Sequence, residues 1–273
     1  MVTKRWIAVT IGVAALVGLA ACAAAQTETT STPASQAAAG PKWHFTIPFG
    51  VWPFGISGPT GAAGYETDVD MSISDVQELK DRCLGFAFEA GRGKWTALAQ
   101  AFYLRFQTDP IRGKGPNGVD ALANPRLKWW TAELAGAYQA AVVDPGPRML
   151  VFEPLVGVRY TKLESSLHVE EPIDTTVAKK DVEWVDAFVG FRALKSFTKN
   201  IGVTFRGDIG AGGSDMTWNA AAALGYRFPF DGSALTVAVG YKAEGIDYQS
   251  EGDYGFFFDQ TMTGPTLGVA YSF

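Results

Sequence analysis

The chain closes with Thr266-Leu267-Gly268-Val269-Ala270-Tyr271-Ser272-Phe273, which is its most informative stretch about the fold. Large apolar side chains recur at every second position from Leu267 to Phe273, with small or polar residues between them. Successive side chains of a β-strand point to opposite faces, so the pattern predicts a strand with one apolar face that continues to the final aromatic residue.

The opposite end of the chain has the pattern of an export signal. Two basic residues, Lys4 and Arg5, precede an apolar run that extends to Ala21. The run is too short and too isolated to be kept as a spanning helix, so residues 1–25 are predicted to be a cleaved signal peptide. The run Leu19-Ala20-Ala21-Cys22 also resembles a lipobox, which leaves cleavage before Cys22 and lipidation of this cysteine as an alternative.

Composition sets further bounds on the mature chain. Residues 26–41 have low complexity and no aromatic side chain, so they are expected to form a disordered tether ahead of a domain at 42–273. The second cysteine, Cys83, has no partner once Cys22 is removed or acylated, which excludes a disulfide framework. The net charge is −5, and a chain without a basic excess is not expected to bind nucleic acid.

Ten segments of the domain alternate apolar and polar residues and are separated by turn residues. They are predicted as strands at 43–56, 83–91, 94–107, 129–142, 149–163, 182–194, 200–211, 215–228, 234–247 and 258–273. Each has roughly 9–15 residues, which is enough to cross a bilayer at the usual strand tilt. The third segment is apolar on both faces and the sixth is weak, so a count of eight strands stays open.

The connections between these segments differ in length in a regular way. Short connections lie at 92–93, 144–147, 196–199 and 229–232, and they alternate with longer ones at 58–81, 108–128, 164–181 and 248–257, interrupted only by the short 212–214. Outer-membrane barrels have short periplasmic turns and long extracellular loops. Backbone groups in hydrocarbon must also be paired, so the sheet must close. The sequence therefore predicts an all-β, closed antiparallel transmembrane β-barrel in the bacterial outer membrane.

Strand parity assigns one face to lipid and the other to the lumen. The aromatic residues near strand ends are predicted to form the interfacial girdles, and they are Trp43, Trp129, Trp130, Tyr160, Trp184, Trp218, Tyr226, Tyr241, Tyr271 and Phe273. The lumen face collects six acidic and five basic residues, namely Glu89, Glu133, Glu153, Arg159, Asp186, Arg192, Arg206, Asp208, Arg227, Lys242 and Glu244. Charges in a narrow barrel must be paired or hydrated. The expected result is a salt-bridge network that fills the lumen, and the alternative is a narrow charged path.

Several runs resemble a known group of proteins. They are 85–90, 93–95, 184–192, 207–210, 214–219, 225–228 and 240–242. On these runs the chain is similar to a largely uncharacterised family of small Gram-negative outer-membrane β-barrel proteins. The resemblance implies fold and location, and it brings no catalytic residues. It also implies that Tyr271 and Phe273 form the assembly signal read by the barrel assembly machinery, with outer-membrane lipids and lipopolysaccharide as the other partners.

Three functions follow from these expectations. The leading one is a non-enzymatic structural or surface protein with a plugged or very narrow lumen, and the first alternative is porin-like permeation of small solutes. The second alternative is a surface hydrolase, in which His168 would act as a general base or weak metal ligand beside Glu170, Glu171 and Asp174. The other histidine, His44, is predicted at the periplasmic end.

No cofactor or metal site is predicted, because the sequence contains no Gly-rich phosphate loop and no His/Cys metal spacing. The first long connection contains Ser74 and Gln77, which fit a capping box and predict a short helix over the outer mouth.

Overall fold

The structure is a computed structural model, and it describes residues 22–23, 42–62, 65–78, 80–107, 111–114, 120–144, 148–170, 175–250 and 256–273. The predicted tether and the predicted signal peptide, apart from Cys22–Ala23, lie outside the described residues. Among the described residues, no helix has the length and apolar character needed to cross a membrane.

The described chain forms fifteen strands and one short helix. The strands are β1 (Cys22–Ala23), β2 (Trp43–Trp52), β3 (Gly55–Ala62), β4 (Tyr65–Met71), β5 (Lys80–Arg92), β6 (Trp95–Gln107), β7 (Ile111–Lys114), β8 (Asp120–Tyr138), β9 (Ala141–Val143), β10 (Leu150–Glu170), β11 (Thr175–Ser196), β12 (Ile201–Gly212), β13 (Met216–Phe230), β14 (Ser233–Gln249) and β15 (Phe256–Ser272). The helix, α1, spans Ile73–Glu78.

Ten long strands make the barrel wall. They follow one another antiparallel in the order β2, β5, β6, β8, β10, β11, β12, β13, β14 and β15, and β15 returns to pair with β2. At the point of closure Phe45 and Phe273 exchange backbone hydrogen bonds of 2.9 and 3.0 Å, and the Thr46 and Ser272 hydroxyls lie 2.9 Å apart. The predicted ten-stranded closed antiparallel barrel is confirmed, and the eight-stranded alternative is wrong.

The outer surface of the barrel is apolar. Val189, Ile209, Leu224 and Val239 come from four neighbouring strands and are each about half exposed, at 59, 54, 49 and 57 %. Between them, the alternate side chains point into the lumen and are buried. A continuous exposed apolar band of this kind requires lipid as its solvent.

Two turns on the periplasmic side are as short as predicted. Gly93–Lys94 joins β5 to β6, and Asp231–Gly232 joins β13 to β14. Gly93 and Gly232 have φ values of 61° and 72°, in the left-handed region where a side chain would be strained.

The extracellular connections contain more regular structure than predicted. β8 begins at Asp120 rather than at 129, and β10 and β11 stay paired out to Glu170 and Thr175. The predicted loops at 108–128 and 164–181 are therefore largely extended strands. Backbone hydrogen bonding continues above the membrane where no apolar face is needed, and apolar alternation alone cannot detect it.

The helix α1 is capped two residues earlier than predicted. Ser72 donates from its N–H and its hydroxyl to Asp75 Oδ2, at 2.9 and 2.6 Å, which is the capping box. These hydrogen bonds lower the pKa of Asp75. The prediction of Ser74 and Gln77 as the capping pair was wrong, because the helix starts at Ile73 and Ser72 is thus the residue before its first turn.

The first strand of the wall, β2, is paired along different lengths on its two sides. β2 and β5 pair only through Trp43–Thr46 and Glu89–Arg92, whereas β2 stays paired with β15 as far as Val51. Beyond Thr46, among the described residues, β1 pairs with β2 on the side that faces β5, at Val51 and Trp52. Pro48 has no N–H to donate just where this pairing stops.

Candidate functional site in the lumen

The lumen gathers most of the charged residues assigned to it by parity. Ten of the eleven are buried, with exposed fractions of 7 % or less. The eleventh, Arg227, is half-buried near the periplasmic end of β13, where its N–H donates to the Asn200 carbonyl.

The cluster nearer the periplasm, called the lower cluster, consists of Arg192, Glu89 and Glu153. Arg192 donates from Nε to Glu153 at 2.8 Å and from a terminal nitrogen to Glu89 at 2.7 Å. Glu153 and Arg192 are directly paired across β10 and β11, while Glu89 comes from β5. One guanidinium thus joins three strands across the lumen.

A second cluster, called the upper cluster, lies nearer the extracellular side. Arg159 bonds Glu133 at 2.9 Å and Asp208 at 2.8 Å, and Arg206 bonds the same two carboxylates at 2.6 and 2.8 Å. Two cations and two anions therefore alternate in a neutral ring. The Phe188 ring lies 4.8 and 5.7 Å from the Arg159 and Arg206 guanidinium carbons, so an aromatic face supports both cations.

Lys242 and Glu244 form a third buried pair, at 2.8 Å. The Lys242 ammonium also lies 4.4 Å from the centroid of the Trp52 ring. This contact connects the charged part of the lumen to the aromatic residues above it.

Asp186 has a different role from the other lumen acids. It accepts hydrogen bonds from the backbone N–H groups of Gly213 and Ser214, at 3.1 and 2.9 Å, from the Ser214 hydroxyl at 2.9 Å and from Trp184 Nε1 at 3.0 Å. These donors belong to the short connection between β12 and β13 and to β11 itself. Asp186 thus ties this extracellular turn to the barrel wall.

The outer half of the lumen is apolar, which the sequence reasoning missed. Its buried residues, called here the apolar layer, are Trp52, Phe54, Ile56, Val69, Val76, Phe102, Leu104, Trp129, Leu163, Val182, Trp184, Ile246, Phe258 and Met262. Trp129 and Trp184 were predicted for the girdles, but they are 2 and 5 % exposed and point inward. They share strand parity with Glu133 and Asp186, and that parity was the signal that identifies them.

The inward apolar face of the third predicted strand now has an explanation. Phe102 and Leu104 of β6 lie in the apolar layer, and the Phe102 ring packs edge-on against Trp129 with centroids 5.8 Å apart. Both faces of the strand are apolar because one meets lipid and the other meets this layer.

The residues of the predicted rim hydrolase are only partly placed. The backbone of His168 lies in β10, paired with Val177 of β11. Its side chain and that of Glu170, with Glu171 and Asp174, lie outside the described part of the chain, so the hydrolase stays a prediction. His44 is near the periplasmic end of β2, as predicted, and pairs with Gly91. Cys83 pairs through its backbone with Leu104.

Comparison with known proteins finds a similarity of shape alone. No family model matches it, and no curated protein matches it. Among solved structures, the chain is similar to Ail, the attachment invasion locus protein of Yersinia pestis, in a crystal structure with the heparin analogue sucrose octasulfate. The TM-score is 0.36 and the sequence identity is 9 %, and the match covers 85 % of this chain and 99 % of Ail. It is also similar to TodX, the toluene transporter of Pseudomonas putida, with a TM-score of 0.35, 11 % identity, and coverage of 89 and 92 %.

The barrel itself defines the class of protein. An even number of antiparallel strands, an apolar outer band and a lumen with charged residues are the features of outer-membrane barrels. The chain is accordingly an outer-membrane β-barrel protein.

Proposed function

We propose that this protein is a non-enzymatic outer-membrane barrel with a structural or surface role, whose lumen is closed to hydrated solutes. The observation that carries the proposal is the pair of ion clusters that cross the lumen at two levels. Each charge in the two clusters has a partner of opposite sign, and separating such a pair without replacement is costly. A hydrated ion would have to separate both clusters to pass.

A surface role is supported by the strands that continue above the apolar band. β8, β10 and β11 remain paired there and carry charged residues. Glu164 bonds Lys128 at 2.9 Å and Lys162 at 2.7 Å, and Tyr160 donates to Glu183 at 2.8 Å. These contacts join the three strands into a stiff polar sheet facing the medium and the lipopolysaccharide headgroups.

Conductance in planar bilayers tests the proposal against the porin-like alternative. The purified, folded protein should insert and give no stable current steps in neutral salt. Stable, reproducible steps would favour permeation and overturn the closed lumen. Protein incorporation is verified in the same membranes by the heat-sensitive electrophoretic mobility of the folded barrel, so that silence is not mistaken for failed insertion.

A further inference from the structure

We propose that two outward-facing cations at the extracellular edge of the membrane, Arg105 and Lys128, bind a phosphate of one lipopolysaccharide molecule in the outer leaflet. We call these two residues the basic rim pair. The proposal rests on the surface role in the proposed function and names a partner for that surface. It is independent of the closed lumen, so lipid binding and conductance test different statements.

Two pairs of aromatic residues mark the edges of the membrane on β6 and β8. At the periplasmic end the rings of Trp95 and Tyr138 lie 4.7 Å apart between centroids. Eight positions further along each strand, Tyr103 and Trp130 form a second pair at 4.2 Å. A tilted strand covers roughly 20 Å of membrane thickness in that length, and outward aromatic rings mark the headgroup level. Tyr103 and Trp130 therefore lie at the second interface.

The basic rim pair lies one outward position beyond that interface. Arg105 and Lys128 are directly paired across β6 and β8. Their chain neighbours Leu104 and Trp129 are buried in the apolar layer, so the two cations point outward by strand alternation. The Lys128 side chain is 45 % exposed. Like charges at directly opposed positions of a sheet repel, and an anion between them would remove that repulsion.

One carboxylate balances part of the positive charge beside this pair. Glu164 of β10 is directly paired with Lys128. It accepts from Lys128 at 2.9 Å and from Lys162 at 2.7 Å, so one anion serves two ammonium groups. Among the described outward residues of β6, β8 and β10 at this level, positive charge is therefore in excess. Glu164 competes with any other anion for the two lysines.

The other side of the same rim carries the opposite charge. Asp247 and Asp259 are directly paired across β14 and β15 and lie on the outward face. The backbone N–H of Asp215 donates to the Asp247 carbonyl, which brings a third aspartate beside them. Asp181 and Glu183 on β11 are exposed as well. An anionic headgroup is repelled from these strands, so the phosphate-binding face is limited to β6, β8 and β10.

The side of the membrane identifies the lipid. Beyond the basic rim pair, β8 and β10 continue as paired strands toward Asp120 and Glu170, and extensions of this length lie on the extracellular side of outer-membrane barrels. The lipid of that leaflet is lipopolysaccharide, whose lipid A carries phosphate monoesters. A phosphate monoester has a charge of about −1.5 to −2 at neutral pH, which exceeds the single charge of a phospholipid diester.

The test measures lipid binding to the exported, folded barrel in detergent by native mass spectrometry. The probes are diphosphoryl lipid A, phosphatidylglycerol as an anionic diester, and phosphatidylcholine as a lipid without net charge. One lipid A molecule should bind at least tenfold more tightly than phosphatidylcholine and about threefold more tightly than phosphatidylglycerol. Equal affinities for lipid A and phosphatidylglycerol would overturn the assignment to lipopolysaccharide.

A charge-matched pair of variants locates the binding. R105Q/K128Q should reduce lipid A affinity about tenfold or more and leave phosphatidylcholine binding within about twofold. R92Q/K94Q removes the same two charges at the periplasmic turn between β5 and β6, where both residues are exposed, and should change lipid A affinity less than about twofold. Folding of each variant is checked by heat-sensitive mobility. Equal losses in the two variants would indicate unspecific attraction and refute the site.

Neutralising Glu164 should have the opposite effect. E164Q removes the anion that competes for Lys128 and Lys162, so lipid A should bind about threefold more tightly. Misfolding would lower the affinity, so a gain is free of that ambiguity. D247N/D259N removes acids on the other side of the rim and should change the affinity less than about twofold. An affinity in E164Q that is unchanged or reduced would contradict a phosphate beside Lys128.

The results for the lipid and for the lumen are distinguishable. A barrel that is silent in planar bilayers but shows no preference for lipid A would retain the closed lumen and lose this partner. A barrel that binds lipid A through the basic rim pair but conducts would retain the partner and lose the closed lumen.

Discussion

Arg159 and Asp186 are directly paired positions of β10 and β11, yet their side chains bond in different directions. Arg159 turns toward Glu133 and Asp208, whereas Asp186 accepts hydrogen bonds from the turn at Gly213 and Ser214. The lumen charges thus divide into strand-crossing clusters and a turn anchor, and the two groups are expected to respond differently to substitution.

Asp186→Asn is expected to loosen the extracellular turn. Both carboxylate oxygens of Asp186 accept hydrogen bonds, so an amide nitrogen in place of either oxygen would face a donor. The expected loss is about 1–3 kcal/mol in the free energy of unfolding, measured by urea titration of the reconstituted barrel. Asp215→Asn, at the exposed neighbouring position, is the control and should be nearly neutral. Equal losses in the two variants would refute the role of Asp186 as an anchor.

Arg192→Met is expected to destabilise the barrel strongly. It would leave Glu89 and Glu153 buried without their cation, at a cost of about 3–5 kcal/mol. The triple variant E89Q/E153Q/R192M removes the stranded charges and should recover part of that loss. Lys128→Met breaks an ion pair with side chains 45 and 26 % exposed and should cost less than about 1 kcal/mol. Urea unfolding of the four proteins in one lipid composition compares these values.

The terminal aromatic is expected to act in closure as well as in assembly. Deletion of Phe273 removes both backbone hydrogen bonds to Phe45 and the ring contact at 5.8 Å, whereas Phe273→Ala removes only the ring. Spontaneous refolding into lipid should therefore fall more for the deletion than for the substitution. In cells, both variants should assemble poorly, because each lacks the terminal aromatic of the predicted assembly signal. Normal assembly of both in cells would contradict that prediction.

The capping box of α1 is expected to respond to acid. Hydrogen bonds from Ser72 lower the pKa of Asp75 below its ordinary 3.8, so the charged form stabilises the folded cap. This stabilisation is complete above the ordinary pKa and is lost as the pH falls through the lowered value. The amide protection factors in α1, which are the intrinsic exchange rates divided by the observed rates, should fall on acidification in the wild type. In Asp75→Asn the protection factors should already be low at neutral pH and should change little on acidification.

Local alternation was enough to predict the class of fold and the direction of most side chains. Glu153 and Arg192 were assigned to the lumen from parity alone, and both are buried there. Trp129 and Trp184 were predicted for the girdles from their aromatic character, and this prediction is wrong, because both are buried on the lumen face to which strand parity assigns them. Tryptophan suits both an interface and an apolar lumen, and position along the strand distinguishes the two only when strand ends are known. Those ends were misjudged, because β8 starts at Asp120.

Sequence alone determined that this chain builds a cylinder with an apolar exterior, because a two-residue period is a local property and unpaired backbone is not tolerated in lipid. Which charges meet depends on the tertiary structure. Arg192 and Glu89 are 103 residues apart, and Arg206 and Glu133 are 73 apart. Their contacts depend on strand order, register and reach across the lumen, and none of these is encoded within a single strand. The division into charged and apolar levels likewise arises only when the strands are aligned around the barrel.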